Sequence, residues 1–122
     1  MEQRKGQEEK RKPALDAADL ERMRPYAPAW LVKPRRGVPA LHRTFTFGSF
    51  AEAMWFTLKL GEWAERDGQR PTILISWDRV TVALGSAASG GLDRRDFLAA
   101  GNVDRLFDGL LRSKRPTGAA GV

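Results

Sequence analysis

Cysteine is absent from the 122-residue sequence, and His42 is its only histidine. The absence of cysteine excludes disulfides, thiolate metal sites and cysteine nucleophiles. The sequence also lacks the roughly 18–20 consecutive apolar residues that cross a bilayer, and its polar N-terminus lacks the apolar core of a signal peptide. We therefore expect a cytoplasmic protein that binds neither a metal nor a membrane.

The residues that are present are typical of a globular domain, with 42% hydrophobic and 30% charged. The net charge of +6 is spread over short basic runs such as Arg35-Arg36 and Arg94-Arg95, and no basic stripe also carries stacking aromatics. This distribution favours a solvated surface or an acidic protein partner, so nucleic-acid binding is not expected.

Composition also predicts how the chain is divided. Residues 1–12 are almost wholly polar and are predicted to be a disordered tail, while residues 113–122 are predicted to be a flexible tail. The folded domain is expected over residues 13–112. At its start, a helix over Pro13–Met23 and a short strand over Trp30–Lys33 precede a predicted turn or loop at residues 34–39.

The stretch Leu41–Phe47 alternates apolar and polar side chains, which predicts a half-buried strand. Arg43 falls on the apolar side, which is inconsistent with the pattern. His42 falls on the polar side and is expected to be a surface histidine. Nothing in the sequence assigns it to a catalytic triad.

A long central helix is predicted from Ser49, a capping residue with Glu52 three positions later, to about Asp67. One apolar stripe, predicted to cover the sheet, comprises Phe50, Ala53, Met54, Thr57, Leu58, Gly61 and Ala64. A second stripe comprises Phe56, Leu60 and Trp63. We predict that this second stripe contacts another subunit or a client protein; the alternative is that other helices of the same chain cover it.

The second half of the chain predicts a hairpin followed by a helix. Thr72–Ser76 and Arg79–Leu84 are strands joined by two residues, and a last helix is expected from Asp93 to Arg112. The complete order is α-β-β-α-β-β-α. We therefore expect an α+β fold in which helices pack on one face of a four-stranded antiparallel sheet.

Several residues share their spacing with a known family. They are Ala64-Glu65, Pro71, Trp77, Val80, Leu84, Gly91-Leu92 and Asp96, together with Phe45, Phe47, Ser49, Phe50 and Ala53 upstream. In this spacing the chain resembles the pterin carbinolamine dehydratase family over about residues 41–107, without a gap between residues 64 and 96. The resemblance implies a homodimer in which edge strands pair into one continuous sheet.

The sequence differs from the family pattern at the positions where the family has its catalytic residues. The family's paired histidines align with Gln69 and Arg70, and a later histidine aligns with Ala87, while its acid is kept as Asp96. Dehydration needs groups that titrate near neutrality, which Gln, Arg and Ala do not provide. We therefore expect a protein without enzymatic activity. The predicted degenerate pocket comprises Gln69, Arg70, Pro71, Trp77, Ala87 and Asp96.

Asp96 also has a structural explanation, since it follows Asp93 by three residues in the first turn of a predicted helix, where a carboxylate interacts well with free amides. A branch of the family with such losses is associated with carboxysome-forming autotrophic bacteria. The resemblance therefore implies a RuBisCO assembly chaperone for the large subunit in carbon fixation, without a cofactor, in the bacterial cytoplasm or with the carboxysome. Two alternatives stay open: a divergent, active dehydratase, and a dimerisation cofactor for another protein.

Overall fold

Residues 14–85 and 90–121 are described in a computed structural model, and within these ranges the chain forms three α-helices and one sheet. The elements are α1 (Ala17–Met23), β1 (Leu31–Arg35), β2 (Val38–Thr46), α2 (Phe50–Asp67), β3 (Thr72–Ser76), β4 (Arg79–Leu84) and α3 (Arg94–Gly121). This order and the α+β class confirm the prediction. The predicted N-terminal tail lies outside the described residues.

The sheet is antiparallel throughout, in the order β1-β2-β4-β3, so β1 and β3 form its edges. β1 and β2 are joined by Arg36 and Gly37, whose φ angles of 54° and 78° are both left-handed, as a two-residue hairpin turn requires. The turn predicted within residues 34–39 is thus confirmed but is limited to Arg36 and Gly37, because Pro34 and Pro39 are cross-strand partners. An edge strand such as β1 tolerates proline, which cannot donate to a neighbouring strand.

Two helix boundaries also differ from the predictions. α1 begins at Ala17 because the side chain of Asp16 accepts a hydrogen bond from the Asp19 N–H at 2.8 Å. α3 continues beyond the predicted end at Arg112 as far as Gly121. Within the described ranges no helix is both long and apolar enough to cross a membrane.

α2 begins and ends as predicted, but only Ala53 and Ala64 of the first predicted stripe are buried. Phe56, Leu60 and Trp63 are 1%, 0% and 5% exposed and belong to the core cluster, so they are not the predicted contact surface for another subunit or client. Instead Phe50 and Leu58 of the first stripe are 42% and 58% exposed. Both stripes are apolar and adjacent, so helical periodicity alone could not decide which one faces the sheet.

Aromatic rings join the helices to the covered face of the sheet. The ring centroid of Phe45 on β2 lies 5.0 Å from that of Phe56 on α2 and 4.9 Å from that of Phe107 on α3. Arg43 fits among these rings because it donates a hydrogen bond to the Asp104 carboxylate at 2.6 Å and lies 4.4 Å over the Phe45 ring. This pairing explains a cation on the apolar side of β2.

Candidate functional site

Three segments meet at one end of the sheet. Thr72, the first residue of β3, is paired with Ala83 near the end of β4, so the turn that precedes β3 lies beside the end of β4. A Cβ built on Gly85 would lie 3.3 Å from the side chain of Leu92, which places the start of α3 at the same end. The topology therefore brings the turn before β3 and the start of α3, which contain predicted pocket residues, to the same end of the sheet.

The turn before β3 is formed by Gly68, whose left-handed φ of 68° ends α2. The N–H groups of Gly68 and Gln69 both donate to the carbonyl of Ala64, so the chain reverses sharply there. Gln69 is half-buried and Arg70 is exposed as the chain leaves the helix. Their amide and guanidinium groups are hydrogen-bond donors at the edge of the site.

α3 begins with two carboxylates that cap the helix reciprocally. The Asp96 carboxylate accepts a hydrogen bond from the Asp93 N–H at 2.9 Å, and the Asp93 carboxylate accepts from the N–H groups of Arg95 and Asp96 at 2.8 and 3.3 Å. Asp93 and Asp96 are only 7% and 9% exposed. The expected structural role of Asp96 is therefore present in this geometry.

Burial changes the chemistry of this cap. It raises the pKa of Asp96 from 3.8 to about 6, and the neighbouring Asp93 charge adds to the effect, while the Asp93 N–H and Arg95 oppose it. Only Oδ2 of Asp96 accepts a hydrogen bond from the described residues. Its raised pKa brings the titration of Asp96 closer to neutral pH than that of an exposed aspartate.

One of the predicted pocket residues, Trp77, is not brought to this place. Trp77 lies at the far end of β3, six residues and about 20 Å beyond Pro71 at roughly 3.3 Å per residue. Its ring is 70% exposed and stacks on Phe50, with centroids 5.4 Å apart and planes at 11°. Ala87 lies outside the described residues.

Sequence reasoning identified Asp96 but missed its titration and the contribution of Asp93. The pair Asp93-x-x-Asp96 is itself a signal, because two acids three residues apart at a helix start can cap each other's N–H groups. The burial that raises the pKa leaves no such local signal, since it depends on the packing of α3 against the sheet.

The fold is an α+β fold with one four-stranded antiparallel sheet, and sequence comparison identifies the family to which it belongs. The sequence model of the family described as pterin 4 alpha carbinolamine dehydratase matches residues 13–106, so the chain belongs to that family. A curated relative from Chlorobium limicola is 40% identical over 95 residues, which are 78% of this chain and 84% of the relative. One from Gloeobacter violaceus is 37% identical over 94 residues, or 77% and 81% of the two chains.

Two solved structures share the fold. The transcriptional coactivator/pterin dehydratase from Brucella melitensis matches with a TM-score of 0.66 at 22% identity, over 76% of this chain and 97% of the other. A pterin dehydratase-like protein identified as a RuBisCO assembly factor in the alpha-carboxysome matches with a TM-score of 0.56 at 28% identity, over 66% and 92%.

The expectation of a protein without enzymatic activity is wrong. The relatives at 34–40% identity carry the name "Putative pterin-4-alpha-carbinolamine dehydratase", which points to an enzyme. The expectation rested on the replaced histidines alone. It overlooked that a buried carboxylate also titrates near neutrality.

Proposed function

We propose that the protein catalyses the loss of water from a pterin-4a-carbinolamine, with Asp96 as the proton-transfer residue. In this reaction the bond between C4a and the hydroxyl oxygen breaks, a ring nitrogen loses a proton, and the hydroxyl gains one and leaves as water. Such a reaction is accelerated by a group whose pKa lies near the working pH. The observation that carries the proposal is the pKa of about 6 for Asp96 at the end of the sheet.

Gln69 and Arg70 complete this proposal as substrate-positioning residues. Both precede β3 at the same end of the sheet, and their side chains can donate hydrogen bonds to the carbonyl and ring nitrogens of a pterin. Arginine keeps its proton, so it can orient the substrate and stabilise developing negative charge but cannot act as the base.

The decisive experiment replaces Asp96 by asparagine, which can still accept the Asp93 N–H but does not titrate. We expect the dehydration rate to fall by roughly 10²–10⁴-fold, together with loss of a pH-rate limb near pH 6. Glu52→Gln is the matched control, because Glu52 holds the corresponding position at the start of α2 and should leave the rate unchanged. Wild-type protein without activity on a carbinolamine pterin, or an Asp96→Asn variant with full activity, would overturn the proposal.

A role in RuBisCO assembly is a second candidate function. It is favoured by the 28% identity to the assembly factor of the alpha-carboxysome and by apolar side chains exposed on α2, including Met54 and Trp55, each 44% exposed. Such a role would bring the protein to the RuBisCO large subunit and to the carboxysome. Co-expression with both RuBisCO subunits should then raise the yield of assembled enzyme, also with Asp96→Asn; an unchanged yield would exclude this role.

We also propose a homodimer formed through β3. This edge strand has neither a charge nor a proline, and Leu74 at its centre is 64% exposed. Sedimentation should show a dimer at tens of micromolar, and Leu74→Lys should shift it towards monomer. Thr44→Lys, on the inner strand β2, should leave the dimer intact. A wild-type monomer, or equal effects of both substitutions, would contradict the β3 interface.

A further inference from the structure

The uncovered face of the sheet is basic. The four strands carry Lys33, Arg35, His42, Arg43 and Arg79, and they carry no aspartate or glutamate. Arg43 is paired with Asp104 on the covered side, whereas Lys33 and Arg35 form no ion pair with any residue in the described ranges. An unneutralised cluster of this kind attracts anions.

The positive charges converge on His42 because of strand register. Leu31 is the cross-strand partner of His42, so the two side chains share a face of the sheet. Lys33 and Arg35 follow Leu31 at intervals of two and therefore lie on the same face. Their positive charges act on the imidazole of His42. Burial is the largest cause that lowers the pKa of His42, and the charges of Lys33 and Arg35 lower it further.

A pocket of about 180 Å³ opens at this position. It is lined by Ala29, Leu31, Lys33, His42, Arg43, Thr44 and Thr81. The hydroxyls of Thr44 and Thr81 are 2.9 Å apart and share one hydrogen bond, which leaves one O–H free to donate. Among the residues that the structure describes, the pocket thus combines an ammonium group outside any ion pair and a hydroxyl donor with no acidic lining residue.

His42 differs from the surface residue that was predicted. It is half-buried, and its Nε2 atom is fully buried and has no hydrogen-bond partner within residues 14–85 and 90–121. Buried side-chain nitrogens are nearly always paired, because an unpaired one loses its hydration without compensation. The His42 ring lines the pocket together with Lys33, so an anion held there would lie beside the imidazole.

We propose that this pocket binds an oxyanion, the carboxylate or phosphate group of a small molecule, between Lys33 and the imidazole of His42. The volume suits such a group rather than a complete large ligand. The pocket is separate from the dehydratase site: His42, Ala83 and Thr72 form one row over three strands, so the start of β3 lies about 10 Å away at roughly 4.8 Å per strand.

The single histidine makes the proposal directly measurable, since the imidazole signals in an NMR spectrum belong to His42. The protein is titrated with inorganic phosphate and, separately, with acetate, against chloride at matched ionic strength. We expect a saturable shift of the His42 signals with at least one oxyanion and a raised His42 pKa when it is bound, because the anion offsets Lys33 and Arg35. The response to each anion shows whether the group is a phosphate or a carboxylate; no saturable shift with either overturns the proposal.

A pair of variants separates a defined pocket from diffuse surface charge. Lys33→Ala should weaken the binding about tenfold, as expected for a lost charge-assisted hydrogen bond. Arg79→Ala removes the same charge from the far end of the same face, where Arg79 is paired with Thr46, and should leave the binding unchanged. Both residues are exposed, so both variants should fold, which thermal unfolding verifies. Equal weakening by the two substitutions would overturn the proposal.

Discussion

Helices α2 and α3 begin with the same type of cap in different surroundings. In α2 the Ser49 hydroxyl accepts the Glu52 N–H at 3.2 Å, and the Glu52 carboxylate accepts the Gly48 N–H at 2.9 Å. In α3 Asp93 and Asp96 accept each other's N–H groups, whereas in α2 the Glu52 carboxylate accepts from the residue before Ser49. The acids of α3 are buried, whereas Ser49 and Glu52 are half-exposed.

This difference separates a structural cap from a titrating group. The hydrogen bonds alone would favour the charged carboxylate of Asp96, yet burial outweighs them and raises its pKa to about 6. A sequence motif that starts a helix therefore becomes a candidate for proton transfer only where the tertiary structure removes it from water. The two helices also differ in what they bury: the buried residues of α2 are all apolar, whereas those of α3 include Asp96.

The largest effect is expected where α2 is packed most tightly. Phe56→Ala should lower the free energy of unfolding by about 3–5 kcal/mol, because it leaves a cavity among Phe45, Phe47 and Phe107. The loss should be the same at pH 5 and pH 8, since no charge is involved. Leu58→Ala, at a position 58% exposed, should change stability by less than about 0.5 kcal/mol in denaturant unfolding. Similar losses for the two variants would show that the buried face of α2 is misassigned.

Asp96→Asn should give a smaller effect that does depend on pH. Because the pKa of Asp96 is raised to about 6 in the folded state, its stabilising contribution is present below about pH 4 and is lost as the pH rises through 6. The variant should therefore be more stable than wild type at pH 8, on the order of 3 kcal/mol, with the difference shrinking towards pH 4.

Denaturant unfolding at pH 4, 6 and 8 measures the difference in stability between the Asp96→Asn variant and the wild type. Glu52→Gln is the control, because it removes a half-exposed carboxylate from the corresponding position of α2 and should give a smaller change with pH. An Asp96→Asn difference that is constant over this range would contradict the raised pKa.

The smallest effect is expected at the cap of α2. Ser49→Ala should cost about 1 kcal/mol, because the Glu52 N–H loses its acceptor, and Ser49→Asn should restore most of it. Thermal unfolding of the two variants checks this prediction. If alanine is tolerated as well as asparagine, the hydroxyl of Ser49 does not stabilise the helix.

The features predicted correctly are those that neighbouring residues specify. Ser49 and Gly68 delimit α2, and the hairpin of Thr72–Ser76 and Arg79–Leu84 follows from strand composition and a two-residue connection. Capping, turn formation and strand periodicity act over a few residues, so their signals are visible in the sequence. The spacing that resembles the family, which placed Asp96, can likewise be seen in the sequence.

The tertiary structure decided what depends on distant residues. It placed Phe56 in the core and Leu58 in solvent, paired Arg43 with Asp104, and moved Trp77 away from the candidate site. It also determined the pKa of Asp96, because desolvation depends on everything packed around a carboxyl group. By itself the sequence determined the elements, their order and the family. Burial determined which side chains pack in the core and which carboxyl group has a raised pKa, because only the packing of distant segments excludes water.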